Sequence, residues 1–344
     1  MQHRILIEGP LHQTNGQLSE TGYATSLMKS YDRKRIKAPK WRIKEWDYYL
    51  ITSEDYALAL TIADNAYMGM DSVSLIDFQN KRQITKSAMS LMPLGKRGLP
   101  NSSVSGASRA VGKNYEINFV VTPEKRDIYG HFYDFSGEGS QLLFDLTLQN
   151  PVTDSMVIVT PFENKPYHFY YNQKINCLPA SGHVILDKED FYFSPSTAFG
   201  VLDWGRGVWP YKNTWYWGSL SGVVMGRPFG LNIGHGFGDT SLATENMVIY
   251  AGRAHKLGQV HFSVPQKDGR EDYLSPWQIY DDSNRLKMVF EPILDRYANI
   301  NALLLASVQH QVFGRFSGEV VLDSGETLNI ENMIGFLEKV YNKW

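Results

Sequence analysis

The 344-residue chain contains one cysteine, Cys177. A single thiol excludes an internal disulfide and any zinc cluster built on cysteines. An excess of charge of either sign is also missing. Lys and Arg number 34 against 36 Asp and Glu, a formal net charge of -2, so no overall field draws the chain to nucleic acid. No apolar run approaches the roughly 20 residues of a membrane-spanning helix, and the opening MQHRILIEGPLHQ lacks the apolar core of a signal peptide. With the lone thiol, this predicts a cytoplasmic protein. The stretch GKRGLPNSSVSGASRAVGKN (95–114) has neither phosphate-loop spacing nor a following helical pattern. Its Gly, Ser and Pro content predicts a long, flap-like loop. No period of 20 to 50 residues is visible, which excludes a solenoid or propeller.

Period-two alternation, by contrast, runs through the whole chain. It is clear in YEINFVV (115–121), QLLFDLTL (141–148), SMVIVTPF (155–162), YHFYYN (167–172), HVILD (183–187), QVHFSV (259–264), RLKMVFE (285–291) and SGEVVL (317–322). Val, Ile, Phe and Tyr on alternate positions between turn residues are strand signals. EDYALALTIAD (54–64) fits either period and tilts to strand, and ENMIGFLEKVYNKW at the C-terminus stays open between helix and strand. The expectation is an all-β protein of two barrel or sandwich domains with little helix. NPVTDS (150–155) and ENKPY (163–167) divide it into domains at 1–160 and 165–344.

FGVLDWGRGVWPYKNTWYWGS (199–219) holds four of the eight tryptophans, Trp204, Trp209, Trp215 and Trp217, with Tyr211 and a lone Asp203. Trp215 and Trp217 are two apart, so a strand here places both indoles on one face. Each indole N–H needs a partner when buried, so four together suit a ligand cavity better than a dry core. DWGRGVWP reads as a tight turn, which puts Asp203 where a strand gives way to a loop. The same residues also suit an ordinary core between two sheets, with Asp203 capping a turn or pairing with Arg206.

LNIGHGFGDTSLATENM (231–247) adds His235, Asp239, Glu245 and Asn246 among alternating glycines. Glycine at every second position lets a ligand or another segment approach the backbone closely. Asp203, His235, Asp239 and Glu245 are the candidate acids and bases, because burial can tune such groups toward neutrality. Trp204, Trp209, Tyr211, Trp215, Trp217, Tyr171 and Asn246 are the candidate ligand contacts. The spacing matches no metal motif, so no metal is expected. KSYDRKRIKAPKWRIK (29–44) carries eight basic residues against one acid. It suits a solvated face or a peripheral contact with an anionic membrane surface, with Trp41 and Trp46 as interfacial anchors.

FYYNQKINCLPASGHVILDKEDFYFSPSTAFGVLDWGRG (169–207) followed by Trp215 and Trp217 distantly resembles the lipocalin-like carotenoid hydratases and tocopherol cyclases. Tyr170 and Tyr171, the Ser181–Gly182 turn, the HVILD strand and then Asp203-Trp204-Gly205 follow that order. EWDYYLI, DWGRGVWPYKNTWYWGS and GHGFGDTSLATEN are together similar to the bacterial domain-of-unknown-function 2804 family over nearly the whole chain. The distant resemblance implies two lipocalin-like domains around a hydrophobic cavity. In the hydratase pattern a His follows the Asp; here Trp204 stands there, which leaves His235 to replace it from another strand.

Three functions remain open on these residues. One is cofactor-independent acid–base addition, cyclisation or isomerisation of a small, largely apolar molecule, with Asp203 donating a proton and His235 or Asp239 taking it back. Another is a non-catalytic lipid or pigment binder. The last is a carbohydrate-active protein in which Trp residues stack on sugars and Asp203 pairs with Asp239 or Glu245.

Overall fold

In a computed structural model, which describes residues 2–302 and 305–343, the chain is all-β. Two large sheets of 13 and 9 strands curl toward one another as half-barrels. The pairings that build both are antiparallel, as expected when one face of each strand is buried and alternate residues are apolar. The only helical turns among the described residues are two 3-10 turns, Arg33–Arg35 and Lys40–Arg42.

The first sheet runs from the edge strand Arg82–Leu91 through Met68–Asp77, Tyr56–Asp64, Lys44–Thr52, Phe199–Val208 and Phe169–Leu186. It continues through Gln141–Gln149, Lys125–Tyr133 and Tyr115–Val121 to Gly106–Val111. The second contains Lys212–Val224, Arg227–His235, Leu286–Ala302, Leu305–Val321 and Thr327–Lys343. The change of sheet therefore falls at 209–211. The division read from sequence, 160–165, lies inside the first sheet, because Phe169–Leu186 and Phe199–Val208 pair back into it.

Two local readings are corrected and an open one is decided. DWGRG is strand interior within Phe199–Val208, not a turn. Residues 106–111 of the expected flap form a strand paired with Tyr115–Val121. The ambiguous C-terminal segment is strand, Thr327–Lys343, as is Tyr56–Asp64, where the reading tilted.

Each sheet wraps its own apolar core. Phe119, Phe144, Phe169, Tyr171, Phe193 and Trp204 lie in the first, and Phe229, Trp277, Phe290, Phe316 and Leu337 in the second. A third cluster is shared: Tyr48, Leu50, Ile76, Phe78 and Val201 of one sheet meet Trp217, Leu294, Phe313 and Phe336 of the other. Beside this seam the sheets part and leave a cavity.

Half of the basic run serves the fold. Lys29 pairs with Glu20 at 2.7 Å and Arg33 with Glu45 at 2.5 Å, and Arg42 donates to the Trp209 carbonyl at 2.9 Å. Lys44 is buried with its ammonium over the rings of Tyr67 and Trp209. Trp41 is 53% exposed, whereas Trp46, expected at a membrane interface, lies in the cavity wall.

Candidate active site

The cavity, of about 320 Å³, lies between two rows of cross-strand neighbours. Residues directly opposite each other in antiparallel strands project to the same face. In the first sheet the pairings Lys174–Asp203, Asp203–Tyr48, Tyr48–Thr61, Thr61–Ser72 and Ser72–Ser87 form one continuous row, and all six residues line the cavity. In the second sheet Trp217, Glu338, Gln311 and Arg296 form the matching row. Trp217, Glu338 and Arg296 line the cavity.

Glycine makes the aromatic wall possible. A Cβ at Gly205 would lie 2.0 Å from the Trp46 ring, so the absent side chain is the space the indole fills from the neighbouring strand. Trp46 stacks on Tyr170 and meets Trp209 edge-on, while Phe237 packs against Tyr170, Trp209 and Trp215. Gly234 serves the next loop in the same way, since a Cβ there would lie 2.1 Å from the Glu245 carboxylate.

Three carboxylates enter this wall. Asp203 is 8% exposed. It accepts from Asn172 Nδ2 at 2.5 Å. Burial raises its pKa, opposed by the Lys174 charge and by hydrogen bonds from Asn172 and Trp46. Glu338, 5% exposed, accepts from Trp215 Nε1 at 3.2 Å, Gln309 Nε2 at 2.8 Å and Gln311 Nε2 at 3.2 Å. Burial pushes it up to about 7 against the pull of Arg296 and these donors, and the nearby Asp203 charge adds to the rise. Glu245 is held by Lys174 Nζ at 2.5 Å. That ammonium also lies 4.8 Å from the centre of the Trp217 ring. The surrounding phenols stay neutral: burial lifts Tyr48 to about 12 and raises Tyr170 well above its ordinary value.

Of the sequence candidates, Asp203, Trp209, Trp215, Trp217 and Glu245 meet in this cavity. Trp204, next to Asp203 in a strand, points the other way into the first sheet's core, with the Arg206 guanidinium 4.3 Å above its ring. Arg206 pairs with Asp47 at 3.0 Å rather than with Asp203. Tyr171 is buried in the same core and donates to the Lys29 carbonyl at 2.6 Å. His235 is exposed at a strand end, its ring facing Tyr216 and His261. Asp239 lies on the surface, where its Oδ1 accepts from the Ser241 N–H and its pKa is lowered by that bond. Asn246 is buried as a loop brace that accepts from Gly234 N at 2.6 Å and donates to the Gly258 carbonyl at 2.9 Å. Tyr211 is 39% exposed under the Lys343 ammonium. The expected imidazole partner of Asp203 is thus elsewhere, and neither Asp239 nor a free Glu245 pairs with it.

Sequence reading missed Glu338, Lys174, Trp46, Tyr48, Tyr170 and Arg296, all of which line the cavity. Trp46 and Tyr48 stood on alternate positions of EWDYYLI, a usable signal. Glu338 had none, because its segment fitted two periods. Among the described residues no three His, Cys, Asp or Glu side chains are arranged to hold a metal ion, and no helix is long and apolar enough to cross a membrane.

The model of the family described as "Domain of unknown function (DUF2804)" matches residues 2–344, and the chain belongs to that family. Comparison with the curated proteins finds no match. Among solved structures the fold is similar to kievitone hydratase from Nectria haematococca, with a TM-score of 0.56 and 12% identity, covering 97% of this chain and 98% of that one. A structure of CghA with Sch210972 aligns with a TM-score of 0.46 and 10% identity over 88% of each chain.

Proposed function

We propose that the cavity binds a small, largely apolar molecule and that Glu338 and Asp203 move a proton to and from it, in an addition, cyclisation or isomerisation. The observation that carries this reading is the pair of buried carboxyl groups brought from two sheets into one aromatic wall. Two acids that influence each other's ionisation in a dry site do not readily ionise together, so one holds a proton while the other accepts one. Asp203 has the Lys174 ammonium and two hydrogen-bond donors behind it, which favour its charged form against burial, and it is assigned the base. Glu338 keeps its proton until about pH 7 and is the acid.

Glu338 protonates an alkene or carbonyl carbon–heteroatom system, and the positive charge that develops lies among the faces of Trp46, Trp209 and Trp215, each worth about 0.5–2 kcal/mol. Asp203 then removes a proton from an adjacent carbon, which completes an isomerisation or cyclisation, or from a water that adds, which completes a hydration. The chemistry is proton transfer and calls for no cofactor. Trp209 Nε1, buried without a hydrogen-bond partner among the described residues, offers a donor to an oxygen on the ligand. The similarity in fold to a protein named as a hydratase accords with this class.

Incubation of the protein with an apolar cell extract, followed by mass spectrometry, tests the proposal. A species should be consumed with a product either heavier by one water or of equal mass. Glu338→Gln and Asp203→Asn should each slow that conversion by roughly 10²–10⁴-fold while the folded protein still binds the substrate. A ligand bound but unchanged by wild type and variants alike would make the protein a carrier and end the catalytic reading.

A further inference from the structure

Arg296 ends the second row of the cavity. Its Nη1 donates to Ser74 Oγ of the first sheet at 2.7 Å, and among the described residues it forms no ion pair with a carboxylate. The other cation of the cavity, Lys174, is committed to Glu245. Beside Arg296 the wall changes character. Ser72, Thr85 and Ser87 present hydroxyls, with Gln83 as an amide, where the opposite end presents indoles. The space therefore has an apolar, acid-bearing end and a hydrogen-bonding end with a guanidinium.

Resting on the reading of the cavity as a site for an apolar molecule, we infer that its ligand is an apolar carboxylic acid. Its carboxylate is held by Arg296 and the neighbouring hydroxyls, and its hydrocarbon part lies against the tryptophans. A planar guanidinium with free N–H groups matches a carboxylate in charge and geometry. In a partly desolvated site that pairing outweighs what a hydroxyl of the same shape gains. The ionised Asp203 repels a carboxylate from the aromatic end, which fixes the orientation: the acid group lies toward Arg296, and the carbon skeleton toward Asp203. Arg296 in this role determines specificity and takes no part in proton transfer.

The test is a fluorescence titration of the cavity tryptophans with three probes of one shape, 6-phenylhexanoate, 6-phenylhexan-1-ol and 6-phenylhexylamine. Wild type should bind the acid about tenfold more tightly than the alcohol, a difference of about 1.4 kcal/mol, and the amine most weakly. Arg296→Gln should erase the preference by weakening the acid about tenfold more than the alcohol, and Arg296→Lys should retain part of it, with thermal melts showing both variants folded. Equal binding of acid and alcohol by wild type, a preference that survives in Arg296→Gln, or tightest binding of the amine would overturn the inference. Arg296 would then only clamp the two sheets through Ser74, and the apolar cavity reading would stand. Failure of the acid and the alcohol alike to bind would overturn both.

Discussion

Glu338 illustrates what a residue in this site costs the fold. Its carboxyl is removed from water and surrounded by one indole and two amides that each donate to it, with Arg296 near but not paired. Burial lifts its pKa from an ordinary 4.5 to about 7. Below 4.5 the group is neutral in both the folded and unfolded chain and has no effect on the pH dependence. Between 4.5 and 7 the folded state binds the extra proton, so stability falls as pH rises; above 7 the loss is complete. The shift corresponds to something on the order of 3 kcal/mol. Chemical denaturation at pH 5 and pH 8 should show wild type losing more stability across this interval than Glu338→Gln, which has no charge to bury. Equal losses would mean that water or a counter-charge reaches the carboxylate. None of this was legible around position 338. GFLEKVYNKW reads as Glu and Lys side by side, and only the cross-strand register separates the buried Glu338 from Lys339, which pairs with Glu271 on the other face. Asp203 was legible because it is the lone acid in an aromatic stretch.

At the scale of the strand, the DWGRG sequence shows why a correct residue can be placed in the wrong element. Two glycines around an arginine usually mark a turn, yet here they are the inward positions of Phe199–Val208. Gly205 is opposite Trp46, and a Cβ at Gly207 would meet the Phe169 carbonyl at 2.6 Å and the Trp209 ring at 3.2 Å. The missing side chains leave room for indoles from neighbouring segments, a long-range cause that local pattern cannot reveal. The strands themselves were legible from period two, since each buries one face and the alternation survives wherever that face meets the core. Gly205→Ala tests this account. The strand conformation tolerates alanine, but the methyl group enters the Trp46 ring and displaces the indole from Asp203 and Tyr170. The variant should remain all-β by circular dichroism, lose about 1–3 kcal/mol of stability from overpacking, and bind 6-phenylhexan-1-ol at least tenfold more weakly. Unchanged binding would show that Trp46 is a bystander in the wall.

The whole molecule depends on the seam between the two sheets, because neither sheet alone has both carboxyl groups. Sequence indicated two β bodies but divided them by turn residues near 160, whereas the chain adds three more strands to the first sheet before leaving it after Val208. Strand pairing at such separations is set by complementary buried faces, which leave no local mark. The seam is apolar: Phe313 is fully buried with its ring 5.5 Å from Phe78 across the interface and against Phe336 on its own side. Phe290 is equally buried but lies in the second sheet's own core. Truncating either ring to alanine should cost about 3–5 kcal/mol, yet the two losses differ in kind. Phe290→Ala weakens one core and, with the seam intact, should leave a single, earlier unfolding transition. Phe313→Ala weakens the shared apolar cluster through which each sheet's stability depends on the other, so calorimetry should resolve two transitions. Addition of a cavity ligand such as 6-phenylhexanoate should draw them together again, since binding requires both walls. One sharp transition in Phe313→Ala at every ligand concentration would show that the polar links across the seam, Gln311 to Tyr48, Arg296 to Ser74 and Asn176 to Ser219, couple the sheets without it.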